Sequence, residues 1–274
     1  MVAVAAEPRS AAAAPRARGR SGFTLMELMV SISIIAILIG IVAGAAAAAR
    51  AGQKRFKAAA DIAKLDAVIQ QHFTWCQSLR LPGGGSRAVL VARRISGDMP
   101  DTWADVEFMA QPANEANFQS GPQRTYVGIW RSLRAANASS PSATVADAEC
   151  LYMMVRFGGL ADCLACSDVD GIGIGDTDGD GAMEFLDPWG NPIRFVLWPQ
   201  QFQVPPGGAF FPDVSRTRPL IFSVGPDGLG TTSVNSGGNL VLTGGKRSGL
   251  GGHDGSDSDR RADNVTNFDA EAKR

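Results

Sequence analysis

The sequence predicts an α+β protein, in which one long N-terminal helix, apolar in its first half and amphipathic in its second, packs on a small antiparallel sheet domain with long loops. Three observations carry this expectation. An apolar run extends from Phe23 to Ala49 with one formal charge, Glu27. From Arg50 to about Leu79 apolar residues recur at steps of three and four, the spacing of one helix face. Beyond that point short apolar runs alternate with turn residues; the chain has 32 Gly against 2 Tyr, so loops and short strands dominate its remainder. At 274 residues and 45% hydrophobic content it holds one sizeable domain or two small ones beyond the helix. With 26 basic and 27 acidic residues it has no basic surface overall, and no nucleic-acid partner is expected.

Residues 1–22 form a basic leader, with Arg9, Arg16, Arg18 and Arg20 against Glu7. A positive segment before an apolar run has the form of an export signal. It sets the N-terminus in the cytoplasm and everything after the helix outside it. The run from Phe23 to Ala49, as a helix rising about 1.5 Å per residue, is about 40 Å long and exceeds a hydrocarbon core of about 30 Å. Glu27 stands out within it, because an ionised carboxylate in hydrocarbon costs several kcal/mol unless something neutralises it. Ala43 to Ala49 offers small residues of the kind an ordinary signal peptidase accepts.

A second cleavage point is Gly22, which separates the leader from Phe23-Thr24-Leu25-Met26-Glu27-Leu28. G-F-T-L-M-E-L resembles the processing site of type IV prepilins and type II secretion pseudopilins. The resemblance implies that a prepilin peptidase cuts between Gly22 and Phe23, that Phe23 is then N-methylated, and that the chain takes the pilin fold. It also gives Glu27 an account: the free α-amine of a neighbouring subunit pairs with its carboxylate, offsets its desolvation and fixes the axial register. An uncleaved signal anchor is the competing reading. Gly40 and Gly44, four apart, fit close helix packing as well as ordinary tolerance of glycine in membrane helices. Gly44 also lies where pilins often have a helix-loosening proline.

In residues 50–80 the face built from Ala58, Ile62, Leu65, Ile69, Phe73 and Cys76 is expected to pack on the sheet. Lys54, Arg55, Lys57, Asp61, Lys64 and Asp66 fall mostly elsewhere. His72, without a Cys or His partner at a recognised ligand spacing, reads as a face residue. Leu81-Pro82-Gly83-Gly84-Gly85 ends the helix. Residues 81–150 form a variable insertion of short helices or strands, with apolar runs at Ala88 to Val91 and Tyr126 to Trp130. Residues 151–274 are expected to hold the sheet and its acidic loops, with a strand or short helix at Leu151 to Phe157.

Asp176, Asp178, Asp180, Glu184 and Asp187 occupy positions 1, 3, 5, 9 and 12 of an EF-hand-like loop, with Gly181 at position 6. Hard carboxylate oxygens at alternate positions converge on one Ca²⁺, and glycine permits the sharp turn. Helices on both sides are missing from the pattern, so the loop alone is expected, with a solvated Gly/Asp loop as the competing reading. D-P-W-G-N-P at 187–192 resembles the start of the sheet in the major pseudopilin of type II secretion. Leu220 to Gly228 resembles that family's next strand and its S-x-G-x-D-G ending. The acidic C-terminal segment resembles the family's calcium loop, which implies a second site at Asp259 and Asp263. Cys76, Cys150, Cys163 and Cys166 are disulfide candidates in three possible pairings, since the domain is expected outside the cytoplasm.

These readings point to a structural subunit rather than an enzyme: the chain lacks H-E-x-x-H and G-x-S-x-G, and its two histidines are His72 and His253. The resemblance implies a pseudopilin held in the inner membrane before assembly. Its partners would be copies of itself, other pilin-like subunits, a prepilin peptidase/methylase and an assembly platform. A type IV or minor pilin for adhesion or DNA uptake is the alternative, and a membrane-anchored metal-dependent hydrolase a weaker one.

Overall fold

A computed structural model describes residues 23–80, 87–114, 116, 120–137, 141, 144–158, 166–198, 218–226, 228, 232–234, 240–242 and 265–267. Helix α1 runs over Leu25–Ser78. It is followed by α2 (Arg87–Asp98), α3 (Trp103–Ala110), α4 (Gly121–Asn137), α5 (Ala146–Phe157) and a 3₁₀ turn at Cys166–Gly171. The strands are β1 (Gly173–Gly175), β2 (Glu184–Leu186), β3 (Arg194–Val196), β4 (Leu220–Ser223), β5 (Thr232–Val234), β6 (Leu240–Leu242) and β7 (Val265–Thr266). The class is α+β, as the sequence predicts. The chain divides into two compact units, Met1–Arg50 and Ala51–Arg274.

In the first unit every described large apolar side chain is exposed, from Phe23 at 78% to Val42 at 66%. No position of the most apolar stretch of α1, mean hydropathy 2.7, is buried. A helix that is apolar all round and uncovered by its own chain is not a soluble core helix; it needs lipid or other helices around it. Ser31 and Ser33 are accommodated because their hydroxyls donate back to the carbonyls of Glu27 and Met29, at 2.7 and 2.8 Å.

In the second unit the apolar face of α1 is buried as its periodicity predicts: Ala58, Ile62, Leu65, Ile69 and Cys76 are 0% exposed and Phe73 3%. Three polar residues of this segment lie differently from the sequence expectation. Asp61, Asp66 and His72 are buried, and Asp66 and His72 have partners from other elements. Asp66 accepts from the guanidinium of Arg218 and, at 2.7 Å, from Asn267 Nδ2, so it ties α1 to the approaches of β4 and β7. Asn267 in turn donates to the Pro219 carbonyl and accepts from the Ile221 N–H, which bridges the two strands.

The named elements among the described residues of 81–150 are all helices. Val91, Ile95, Met99, Trp103, Val106 and Tyr126 join the same core as α1 and the sheet. The expected boundary at 150/151 falls inside α5, whose Leu151, Met153, Met154 and Val155 are buried, so Leu151 to Phe157 is helix rather than strand. Asp98, 1% exposed, organises this helical layer. Its Oδ1 accepts from Ser120 Oγ and Gln123 Nε2 at 2.7 and 2.8 Å, Arg94 pairs with its Oδ2, and Tyr126 donates to its carbonyl at 3.2 Å.

β3, β4 and β7 form an antiparallel sheet in the order β3-β4-β7, with Phe195 opposite Ile221 and Phe222 opposite Thr266. β1 and β2 form a hairpin with Gly175 opposite Glu184, and β5 pairs with β6. Arg194 on β3 donates through Nε to Asp147 Oδ2 on α5 at 2.8 Å, which fastens the helical layer to the sheet. Burial pushes the Asp147 carboxyl up, and Arg194 opposes the rise.

Candidate functional site

Two places carry the sequence-predicted site residues. The first is the start of α1. Gly22 and the rest of the leader lie outside the described residues; Phe23 is exposed and lies two residues before the start of the helix. Thr24 is its N-cap. The Thr24 carbonyl accepts the first helical bond from Leu28, its Oγ1 accepts from the Glu27 N–H at 3.2 Å, and Glu27 Oε2 accepts from the Thr24 N–H at 3.3 Å. This is a capping box, in which two helix-end donors are satisfied reciprocally. Thr24-x-x-Glu27 before an apolar run is its sequence signature, so this feature was readable and was passed over. Glu27 therefore has a local partner within its own chain and sits at the positive end of the helix dipole.

The second place is the β1–β2 hairpin. The backbone between the strands closes on Asp176, whose Oδ1 and Oδ2 accept from the N–H groups of Gly179 and Gly181 at 2.6 and 3.0 Å. Gly179 and Gly181 have φ of 78° and 90°, which side-chain-bearing residues rarely adopt, so glycine at both positions makes the turn possible. Asp176, Asp178 and Glu184 each place a carboxylate oxygen within 4.8 Å of the others. Asp178 and Asp180 do the same with Glu149 of α5. Glu184 is 0% exposed and accepts from the Thr177 N–H at 3.1 Å. Burial pushes its carboxyl up to about 7; the Thr177 bonds oppose this, while Asp178 and Asp176 add to it.

The structure brings four of the five predicted loop acids together and sets the fifth apart. Asp187 holds the D-P-W-G-N-P turn: Oδ1 accepts from the Trp189 and Asn191 N–H groups, both at 2.9 Å, and Oδ2 from the Ser223 hydroxyl at 2.6 Å. Asn191 Nδ2 donates to the Gly225 carbonyl at 2.7 Å. The two segments that resemble the major pseudopilin thus lock onto each other, and Trp189 packs partly buried against the core. Asp259 and Asp263 lie outside the described residues, as does Cys163. Cys76 and Cys150 are free, buried thiols.

Sequence reasoning missed Glu149. Two buried acids, Asp147 and Glu149, in the first turn of an otherwise largely apolar helix were the signal, and the distance of Glu149 in sequence from the loop hid the partnership. Reasoning also left His72 without partners, whereas folding brings it to Cys76 and Asp98, with His72 Nε2 3.8 Å from Asp98 Oδ2. Arg94 already places a positive charge on Asp98, and burial, with Asp98, pushes the Cys76 thiol up to about 12.

Residues 17–43 match the family described as the prokaryotic N-terminal methylation motif, the signature of type IV pilin-like and pseudopilin proteins. The chain carries that signature across the Gly22–Phe23 junction and the first turns of α1. The motif marks structural subunits that are processed by a prepilin peptidase and assemble into pilus-like polymers, and it accords with membrane anchoring through α1. Comparison with curated proteins and with solved structures gives no match.

Proposed function

We propose that this chain is a pseudopilin of a type II secretion-like machine, cut after Gly22, N-methylated at Phe23 and held in the filament by the first half of α1. The observation that carries the secretion-type reading is the interlock of D-P-W-G-N-P with the S-V-G-P-D-G segment through Asp187–Ser223 and Asn191–Gly225. Both segments resemble the major pseudopilin, and each is placed by the other.

Before assembly the subunit waits in the inner membrane, with residues 1–22 in the cytoplasm and residues 51–274 outside. On extraction from the bilayer, the exposed apolar surface of residues 23–49 is covered by the equivalent helices of neighbours. Glu27 then exchanges its place in the capping box for the methylated α-amine of the adjacent Phe23, a charged partner in a dry setting. Incorporation tests the reading. The chain expressed with the peptidase and assembly platform of a type II secretion system enters a pseudopilus; assembly with type IV pilus machinery alone contradicts it.

A further inference from the structure

Glu149 is the observation that makes the acidic hairpin more than a solvated loop. It projects from α5, a different element, and is 1% exposed. The Trp103 indole N–H donates to its Oε2, whereas its Oε1 has no hydrogen-bond partner among the described residues. A buried carboxylate oxygen without a donor loses its hydration uncompensated. Its neighbours make matters worse, since Asp178 and Asp180 bring further carboxylate oxygens within 4.8 Å and no described basic side chain pairs with Glu149. Asp178 belongs to both acidic groups, so the carboxylates of Asp176, Asp178, Asp180, Glu184 and Glu149 all lie around it.

We propose that Glu149 together with Asp176, Asp178, Asp180 and Glu184 forms a calcium site that clasps helix α5 to the β1–β2 hairpin. All the donors are hard oxygens, with no nitrogen or sulfur, which selects Ca²⁺, Mg²⁺ or Mn²⁺ over zinc or copper. Five carboxylates with ten oxygens between them, on a flexible glycine loop, suit the six to eight ligands and variable geometry of calcium better than the strict octahedron and retained waters of magnesium. The cation supplies the positive charge that Glu149 Oε1 lacks. The site differs from a loop that binds by itself, because one ligand comes from the helical layer. It stands independently of the secretion-type reading.

The test uses the full chain in detergent, stripped with chelator and titrated with CaCl2 and separately with MgCl2 by calorimetry. Asp259 and Asp263 are both changed to Asn in the background, so that the acidic C-terminal segment does not contribute heat. Binding with a Kd of about 10⁻⁴ M or tighter, and calcium favoured over magnesium, is expected. Glu149→Gln keeps an acceptor for the Trp103 N–H and should fold, yet weaken calcium binding at least about tenfold by removing one charged ligand. Glu107→Gln, on the exposed Arg134 pair, should leave it unchanged. No calcium heat in the chelator-stripped protein overturns the site, and undiminished affinity in a folded Glu149→Gln chain overturns the clasp.

Discussion

Thr24 and Glu27 cap each other across the first turn of α1: the Thr24 hydroxyl accepts from the Glu27 N–H, and the Glu27 carboxylate accepts from the Thr24 N–H. A lone subunit thereby keeps its membrane glutamate occupied with its own backbone. The proposed pairing with a neighbouring α-amine asks more of Glu27 than this cap does, and the two roles separate by substitution. Glu27→Val should be cut after Gly22 normally but fail to enter filaments. Thr24→Ala, which costs the cap about 1 kcal/mol, should be cut and still assemble. Immunoblots of sheared filament fractions against membrane fractions read both outcomes, and wild-type incorporation of Glu27→Val would remove the pairing role.

Asp187 belongs to the turn and not to the acidic cluster, although its spacing from Asp176 fits a calcium loop. Asp187→Ala leaves the Ser223 hydroxyl and two turn N–H groups without their acceptor, and should destabilise the fold by about 3 kcal/mol in urea denaturation. Asp187→Asn retains acceptor capacity and should change calcium affinity less than about twofold, where loss of a direct ligand would exceed that.

The amphipathic half of α1 shows what was legible. Local periodicity found the face from Ala58 to Cys76, because that face depends only on spacing along one helix. It misplaced Asp66 and His72, whose burial depends on Arg218, Asn267 and Asp98, groups that adjoin them only after folding. The same limit applies at the acidic site. Asp176, Asp178, Asp180 and Glu184 are local and were readable; Glu149 arrives from α5 and was not. Helices α2 to α5 were left open between helix and strand, since short apolar runs such as Tyr126 to Trp130 satisfy both until tertiary packing decides.

Gly158, which ends α5, has no room for a side chain. A Cβ there would press on the hydroxyl of Tyr126 and the carbonyl of Met154, and Tyr126 is fully buried and bonded to the Asp98 carbonyl. Gly158→Ala should therefore lower stability by about 1–3 kcal/mol, as overpacking does. A thermal melt unchanged from wild type would mean that this corner is looser than its packing indicates.

His72 sets one part of the pH response. Burial pushes its pKa below the ordinary 6.5; Asp98 opposes this and Arg94 reinforces it. The folded state thus binds the proton less readily than the unfolded chain, so the His72 contribution to stability is present above pH 6.5 and is lost as pH falls from there toward the folded pKa. Buried carboxylates with raised pKa, such as Asp147, run the other way. The difference between wild type and His72→Gln isolates the histidine: stability measured from pH 7.5 to 5 should fall more steeply for wild type. Parallel curves would place His72 in solvent.

The most direct measurement of the account is the mass of the chain expressed with a prepilin peptidase. The predicted product begins at Phe23, lacks residues 1–22 and carries one added methyl group on its α-amine. An intact Gly22–Phe23 bond, or a new terminus within Ala43 to Ala49, would contradict it.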